Sequence, residues 1–371
     1  MKSFQLAAWL LIVALLVYVL IIGKQLIIPL VVAISIWFLI NTIAEYIQRI
    51  PTGPFRIPLW LAFLAAAVII IAAFALSIDI ILANAEKMVL AVPRYEEILD
   101  NLIADVMNLL DIEETPSIAM LLDQIDLQPV IVNLGASISN IAGKLILIII
   151  YIIFLLLEQR SFYVKFQAFF SKPERYQQGL RIMERINSSI KIYLSVKTFV
   201  SLLTAGFSYA VMWLMGLDFA AFWAFLIFLL NFIPSIGSII ATGLVSLFAL
   251  LQFQDLSEFL LILLSVGGIQ LAIGNYLDPR LMGKSLNISP LVVLLSLALW
   301  GGIWGVIGMV LSVPLMVIIM IILAQFPSTM PLAILLSQDG RILEWDERMD
   351  KREKLMDKEV HEGHIEPENT E

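Results

Sequence analysis

Long runs of apolar residues recur along the whole chain, and they constrain the fold more than any other feature. Of the 371 residues, 60% are hydrophobic and only 15% are charged, with a mean hydropathy of +0.94. Soluble domains contain roughly a quarter of charged residues and cannot bury this much apolar surface in a core. The chain is therefore predicted to be an all-α polytopic membrane protein with about eight hydrophobic segments, each near the ~20 residues that a spanning helix needs.

Several apolar runs have the length of a single membrane crossing. We predict transmembrane helices at residues 4–22, 27–47, 57–83, 141–157, 193–215 and 259–277. The first is predicted to be an uncleaved helix rather than a signal peptide, because its apolar part is long and no small-x-small cleavage site follows. Two further runs, residues 219–251 and 290–326, are too long for one crossing.

These runs divide the chain into four regions. Residues 1–83 are predicted to hold the first three transmembrane helices, and residues 84–140 an extracytoplasmic helical segment with an amphipathic helix. Residues 141–338 are predicted to form a transmembrane core, with a cytoplasmic linker at 158–192. Residues 339–371 form a charged cytoplasmic tail, whose mixed charges and few apolar residues predict disorder.

Lysine and arginine indicate the orientation, because they are enriched in cytoplasmic loops. Residues 158–197 contain eight of them, whereas residues 84–140 contain only two, Lys87 and Arg94. Both termini are therefore predicted to be cytoplasmic.

The two long runs are interrupted by residues that disfavour a continuous helix. NFIPSIG (231–237) places an amide, a proline and a glycine in the first run, and GGIWGVIG (301–308) places four glycines in the second. In hydrocarbon each unpaired backbone group costs several kcal/mol, so such a break survives only beside protein or a water-filled cavity. Each run is predicted to form two half-membrane helices in a re-entrant hairpin. The alternative is that each run crosses the membrane once as a kinked helix. The hairpins are favoured because they place Arg280 and Lys284 in the cytoplasm, where basic residues are enriched.

With two hairpins, residues 193–251 and 259–326 form an inverted repeat, which in secondary transporters points to a binding site near the membrane midplane. Two helices also carry polar or small residues on one face, namely Lys197, Ser201, Thr204 and Ser208, and Gly267, Gln270, Gly274 and Asp278. The alternative explanations are close helix packing for the glycines, and interhelical hydrogen bonds for Gln270 and Asn231.

The candidate solute-binding residues lie at the two breaks and on the helix between them. They are Asn231, Pro234, Gly237, Gln270, Asn275, Gly302 and Gly305. Free N–H groups and the positive dipole end of a half-helix would bind a polyhydroxylated or anionic solute. Lys197 and Asp278 are candidates for coupling transport to an ion, because ionisable residues inside apolar segments are functional by default. For Asp218 an N-cap is favoured, since it precedes a helix start.

The segments NFIPSIG and NYLDPRLMGKSLNISPLVVLLSLALWGGIWGVIGMVLSVPL (275–315) resemble the autoinducer-2 exporter (AI-2E) family of bacterial permeases, and the resemblance extends from the first helix to Phe326. It implies a multi-pass protein of the bacterial inner membrane that exports a small polar solute such as autoinducer-2. Sodium or other cation/proton antiport is the alternative activity in that family. The resemblance also implies a homo-oligomer, which is a pentamer in characterised relatives. A membrane scaffold without transport activity is the third possibility.

The sequence offers no pattern for enzymatic chemistry. It contains no Walker-type phosphate loop, no HExxH motif and no cysteine. HEGH (361–364) places two histidines three residues apart, but in a tail predicted to be disordered a metal site is not favoured. We therefore expect no enzyme activity, no cofactor, no metal and no nucleic-acid partner; the expected partners are a small polar solute or cation and membrane lipid.

Overall fold

The computed structural model describes residues 2–50, 57–109, 127–170, 172–283 and 286–340. Within these ranges the chain is helical except for turns, short connections and one isolated antiparallel bridge between Ile288 and Ser337. Among these residues, six helices are long and apolar enough to cross a membrane, and three shorter apolar helices accompany them. The predicted all-α polytopic membrane fold is confirmed.

The helices are numbered in chain order. They are α1 (Lys2–Ile22), α2 (Lys24–Gln48), α3 (Leu59–Leu109), α4 (Leu127–Phe169), α5 (Pro173–Leu214), α6 (Ala220–Leu230), α7 (Ile236–Phe253), α8 (Leu256–Ala272), α9 (Asp278–Met282), α10 (Pro290–Trp304), α11 (Val306–Leu323) and α12 (Met330–Leu336). A π-helical segment, Ile273–Leu277, joins α8 to α9.

The third predicted span does not end where its apolar residues end. The apolar part of α3 is Leu59–Asn84, but the helix continues without interruption for 51 residues. Part of the predicted outer segment is therefore a direct extension of the third helix. Residues 110–126 of that segment, Lys284, and the tail from residue 341 with its HEGH motif lie outside the described residues.

Contacts divide the chain into two compact units. The first comprises Met1–Phe162 and Leu194–Arg280, and the second comprises Tyr163–Tyr193 and Leu281–Glu371. In the first unit α2 packs on α3 around Ala44, Ala62 and Ala66, small residues that allow close approach of two helices. A second apolar cluster in that unit joins α6, α7 and α8 around Ile227 and Val245.

The run 219–251 folds into a helical hairpin within the first unit. The rings of Phe219 and Trp223, at the start of α6, lie 5.8 and 5.0 Å from the ring of Phe248, near the end of α7. These contacts require the two arms to run antiparallel. The arms are unequal, with 11 and 18 residues. The second arm, α7, is about 27 Å long, which approaches the thickness of the hydrocarbon core, and the half-membrane position of the two arms stays a prediction.

The run 290–326 folds into a second hairpin, within the second unit, with α10 packed along α11. Its break is narrower than predicted, because Gly301 and Gly302 remain helical and only Gly305 leaves the helix, at φ 66° and ψ −144°. That conformation is open to glycine and strained for a residue with a Cβ atom. Here too the second arm, α11, is long enough and apolar enough to cross a membrane.

In both hairpins the two arms approach each other most closely at a glycine, which lies in the first turn of the second arm. A Cβ atom on Gly237 would overlap the carbonyl oxygen of Leu230, and a Cβ atom on Gly308 would overlap that of Trp300. The close approach of the second arm to the last turn of the first arm therefore requires glycine in both cases. The two predicted broken helices are present, and they are built in the same way.

Candidate functional site

The second half of α5 separates polar from apolar side chains around its axis. Lys197, Ser201, Thr204 and Ser208 are all buried, at intervals of about one helical turn. On the opposite side, Phe199, Leu202 and Phe207 are between 51% and 58% exposed, as expected for a surface that faces lipid. The helix thus turns its lysine and its hydroxyl groups towards the protein interior.

Lys197 forms a buried ion pair with Asp278, the first residue of α9. The Nζ and Oδ2 atoms are 2.8 Å apart, and the two side chains are 9% and 13% exposed. The second carboxylate oxygen, Oδ1, is buried and has no hydrogen-bond partner within the described part of the chain. Asp278 therefore neutralises the lysine and still offers one free acceptor.

The π-helical segment aligns Asp278 with Gln270. The N–H of Asp278 donates to the carbonyl of Ile273, five residues earlier, instead of the residue four earlier as in an α-helix. Eight residues of α-helix would place Gln270 and Asp278 about 80° apart around the axis, and the one extra residue of the wider turn reduces this to about 20°. Single π-turns of this kind occur frequently at functional sites.

Asn231 connects the break in the first hairpin to the polar face of α5. Its Nδ2 atom donates to Oγ of Ser201 at 3.2 Å, and both residues are buried. Ser201 lies one turn, about 6 Å, along α5 from Lys197. The amide at the break and the ion pair thus lie on successive turns of the same helix face.

Gln270 is buried, and neither its Nε2 nor its Oε1 atom has a hydrogen-bond partner among the residues described. It lies one turn beyond Gly267, whose Cβ position is 3.6 Å from the methyl group of Thr242 on α7. Because α8 packs back along α7, this turn leads towards the break that precedes α7. Buried polar groups are almost always hydrogen-bonded, so this amide is a candidate for binding water, an ion or a solute.

Ser235 holds the break in a strained turn. Its φ and ψ are 58° and −53°, and the N–H of Ile236 donates to the carbonyl of Pro234 at 2.6 Å across it. This is a γ-turn with a positive central φ, a rare and strained form. Strain of about 1–3 kcal/mol per residue is retained mainly at binding and switch sites.

Seven polar residues of the first unit lie on the buried face of α5, at the break before α7 and at or after the end of α8, and we call them the polar column; they are Lys197, Ser201, Thr204, Ser208, Asn231, Gln270 and Asp278. Pro234 and Gly237 shape the break beside Asn231. Asn275, in the π-helical segment, is exposed and is not part of the column. Gly302 and Gly305 belong to the second unit, where both are exposed and nothing lies within 4 Å of a Cβ placed on either.

The predicted cap at Asp218 is wrong. The residue at the cap position of α6 is Phe219, with φ 57° and no side-chain capping bond. The Asp218 carboxylate instead accepts a hydrogen bond from the Tyr95 hydroxyl at 3.0 Å. The sequence gives no signal for this contact, because Tyr95 precedes Asp218 by 123 residues.

Known proteins resemble this chain over the whole region that contains the polar column and the two hairpins. The profile of the AI-2E family of transporters matches residues 10–328. The chain is 30% identical over 322 residues to the AI-2 transport protein TqsA of Escherichia coli (strain K12), a match covering 85% of this chain and 90% of that protein. It is 31% identical over 288 residues to a candidate transport protein of Haemophilus influenzae, covering 76% and 82% of the two chains. This chain therefore belongs to the AI-2E family of membrane transporters.

Proposed function

We propose that this protein is a secondary transporter that exports a small, hydroxyl-rich solute such as autoinducer-2, and that the polar column binds this solute. The observation that carries the proposal is the bond from Asn231, at the helix break, to Ser201 on the buried face of α5. A solute rich in hydroxyl groups must exchange its bonds to water for bonds to amide and hydroxyl groups. The relative TqsA is named for AI-2 transport, and its 30% identity supports a solute of this class here.

In the proposed cycle, the solute takes over the Asn231 amide from Ser201 and also bonds to the unpartnered amide of Gln270. The hairpin of α6 and α7 then moves relative to α5, with the strained turn at Ser235 as its pivot. No nucleotide-binding pattern is present in the sequence, so an ion or solute gradient supplies the energy.

The direct test is efflux of autoinducer-2 from proteoliposomes that contain equal amounts of purified variants. Asn231→Leu removes the amide from a buried site, and we expect efflux to fall about tenfold or more, because a lost bond to a buried polar group costs about 1–3 kcal/mol. Leu202→Ala, on the exposed face of α5, is the matched control and should export at the wild-type rate. Wild-type efflux by Asn231→Leu would refute the site.

Cation/proton antiport is the second candidate function, and the ion pair between Lys197 and Asp278 favours it. The free Oδ1 atom of Asp278 would bind a cation that competes with the lysine ammonium group. A pH-sensitive dye inside the vesicles would report proton movement when an external sodium gradient is applied. Loss of this signal in Asp278→Asn, with autoinducer-2 efflux retained, would identify antiport as a separate activity; no sodium-dependent signal from the wild type would exclude it.

We further propose that both hairpins re-enter the membrane and that both termini face the cytoplasm of a bacterial inner membrane. Single cysteines can test this, since the chain contains none. An impermeant thiol reagent applied to intact cells should label Ser257→Cys, in the first turn of α8, and should label Met282→Cys only after permeabilisation. The reverse pattern would contradict the topology.

We propose a homopentamer as the functional assembly, as the family resemblance implies. Native mass spectrometry of the protein released from lipid nanodiscs should give five times the mass of the 41.6 kDa chain. A monomeric mass under conditions that support transport would contradict this assembly.

A further inference from the structure

Three segments of the first unit meet at the base of the hairpin formed by α6 and α7. From the extension of α3, the Tyr95 hydroxyl donates to Oδ2 of Asp218 at 3.0 Å, and a guanidinium nitrogen of Arg94 lies 4.0 Å from the same oxygen. Asp218 lies in the connection between α5 and α6. A polar contact therefore joins α3 to the start of the hairpin.

Gln252, in the last turn of α7, fixes this connection to the other arm of the hairpin. Its Oε1 atom accepts from the N–H of Asp218 at 2.7 Å, and its Nε2 atom donates to the carbonyl of Gly216 at 2.9 Å. The Gln252 side chain thus forms hydrogen bonds to the α5–α6 connection on both sides of Leu217. Asp218 is held against both arms, so a contact made to Asp218 is a contact to the hairpin as a whole.

An aromatic contact lies beside the polar one. The ring of Tyr95 is 5.2 Å from the ring of Phe248 on α7, and Phe248 also contacts Phe219 and Trp223 of α6. Ring pairs at this separation attract each other through offset or edge-on contacts. Tyr95 therefore binds the hairpin with its hydroxyl group and with its ring.

We propose that Arg94, Tyr95 and Asp218, with Phe248, form a latch that docks the α6–α7 hairpin on the extension of α3 and opens in each transport cycle. This inference rests on the proposed transport function. The side chains of Arg94 and Asp218 are 64% and 44% exposed, so water competes for their contact and the contact is weak enough to break repeatedly. The buried pair of Lys197 and Asp278 is far costlier to separate.

The Tyr95 hydroxyl, which is the hydrogen-bond donor of the latch, stays protonated throughout the physiological pH range. Burial, and the hydrogen bond to Asp218, raise the pKa of Tyr95 to about 12. The hydroxyl therefore keeps its proton, and opening requires movement of the hairpin rather than ionisation of the tyrosine. The strained turn at Ser235, at the opposite end of the hairpin, is the natural pivot.

Cross-linking tests whether the latch must open. Tyr95→Cys with Asp218→Cys, joined by a reducible bifunctional methanethiosulfonate reagent, should export autoinducer-2 about tenfold more slowly than the unlinked protein if docking is a two-state equilibrium. Reduction should restore the rate. The matched control pair, Gln254→Cys with Ser257→Cys, joins the connection after α7 to the first turn of α8, three residues along the chain, and should be unaffected by the linker. Full export by the linked Tyr95–Asp218 pair would overturn the latch.

A second measurement reports the latch without any cargo. Tyr95→Phe keeps the ring and removes the hydroxyl, so amide hydrogen exchange in residues 216–237 should rise about threefold to tenfold. Tyr209→Phe, at an exposed tyrosine of α5, should leave that exchange unchanged. Failure of the wild type to export would overturn the transport proposal, whereas unchanged exchange in Tyr95→Phe would overturn the latch.

Discussion

The pairing of Lys197 with Asp278 shows what a single charge requires inside an apolar bundle. Each ion alone would lose its hydration at a cost of several kcal/mol, and the 2.8 Å contact offsets part of that cost. Gln270 is neutral, but its amide atoms have no hydrogen-bond partner among the described residues, so those residues do not offset the free-energy cost of burying the amide. The column therefore combines a charge pair that keeps one free acceptor atom with a neutral amide that lacks partners in the described part of the chain, and these are groups that the proposed hydroxyl-rich solute could bond to.

A double-mutant cycle measures the ion pair. Lys197→Met leaves Asp278 as an unpaired buried carboxylate, and we expect destabilisation of about 3–5 kcal/mol. Adding Asp278→Leu should recover much of this loss, because no buried charge then remains. Unfolding in detergent, followed by the quenching of tryptophan fluorescence, gives the free energies. Strictly additive losses would contradict a direct pair.

Asp255 gives a prediction about pH. Its carboxylate caps α8 by accepting from the N–H of Ser257 at 2.8 Å, and this backbone bond lowers the pKa of Asp255. Because the folded-state pKa lies below the unfolded value, the cap contributes stability above about pH 4 and loses it as the pH falls through the folded-state pKa.

Amide exchange in the first turn of α8 checks this cap. Exchange should rise in Asp255→Ala at neutral pH, because the N–H of Ser257 loses its acceptor. Asp255→Asn caps without ionising, so its protection should not depend on acid. Equal exchange in Asp255→Ala and the wild type would show that the cap contributes nothing.

At the scale of helices, the sequence predicted the two breaks but not their form. Proline and glycine in NFIPSIG lead directly to the interruption between α6 and α7. In the second run, glycines 301, 302 and 308 stay helical, and only the φ of Gly305 breaks the helix. Glycine can adopt both helical and non-helical backbone conformations, so its presence in the sequence does not show which residue ends the helix. The π-turn before Asp278 has no sequence signal at all, and it sets which residues join the column.

Substitution by alanine, which adds one methyl group, tests whether the close approach of the hairpin arms requires Gly237 and Gly308. Gly237→Ala and Gly308→Ala place a Cβ atom against a backbone carbonyl, which cannot move away as a side chain can. We expect each to destabilise the protein by about 1–3 kcal/mol or more, as overpacking does. Gly243→Ala, also in α7 and with nothing within 4 Å, is the control and should be neutral or slightly stabilising. Equal thermal midpoints for Gly237→Ala and Gly243→Ala would contradict the close approach.

At the scale of the molecule, the described helices expose many large apolar side chains, and the first unit encloses polar groups. Large exposed apolar residues occur along α1, α3, α5 and α8, as lipid contact requires. Membership of the AI-2E family assigns the bundle to transport. The polar face of α5 was predictable from residue spacing, whereas its partners came from contacts between residues 30 and 81 positions apart.

The most direct test of the polar column is the reactivity of single cysteines on the two faces of α5. Ser201→Cys, Thr204→Cys and Ser208→Cys should react with a small hydrophilic thiol reagent in proteoliposomes, and autoinducer-2 should slow that reaction. Leu202→Cys and Phe207→Cys, on the exposed apolar face, should stay unreactive with or without the solute. Column cysteines that never react, or that react at a rate independent of the solute, would contradict a solute path along this face.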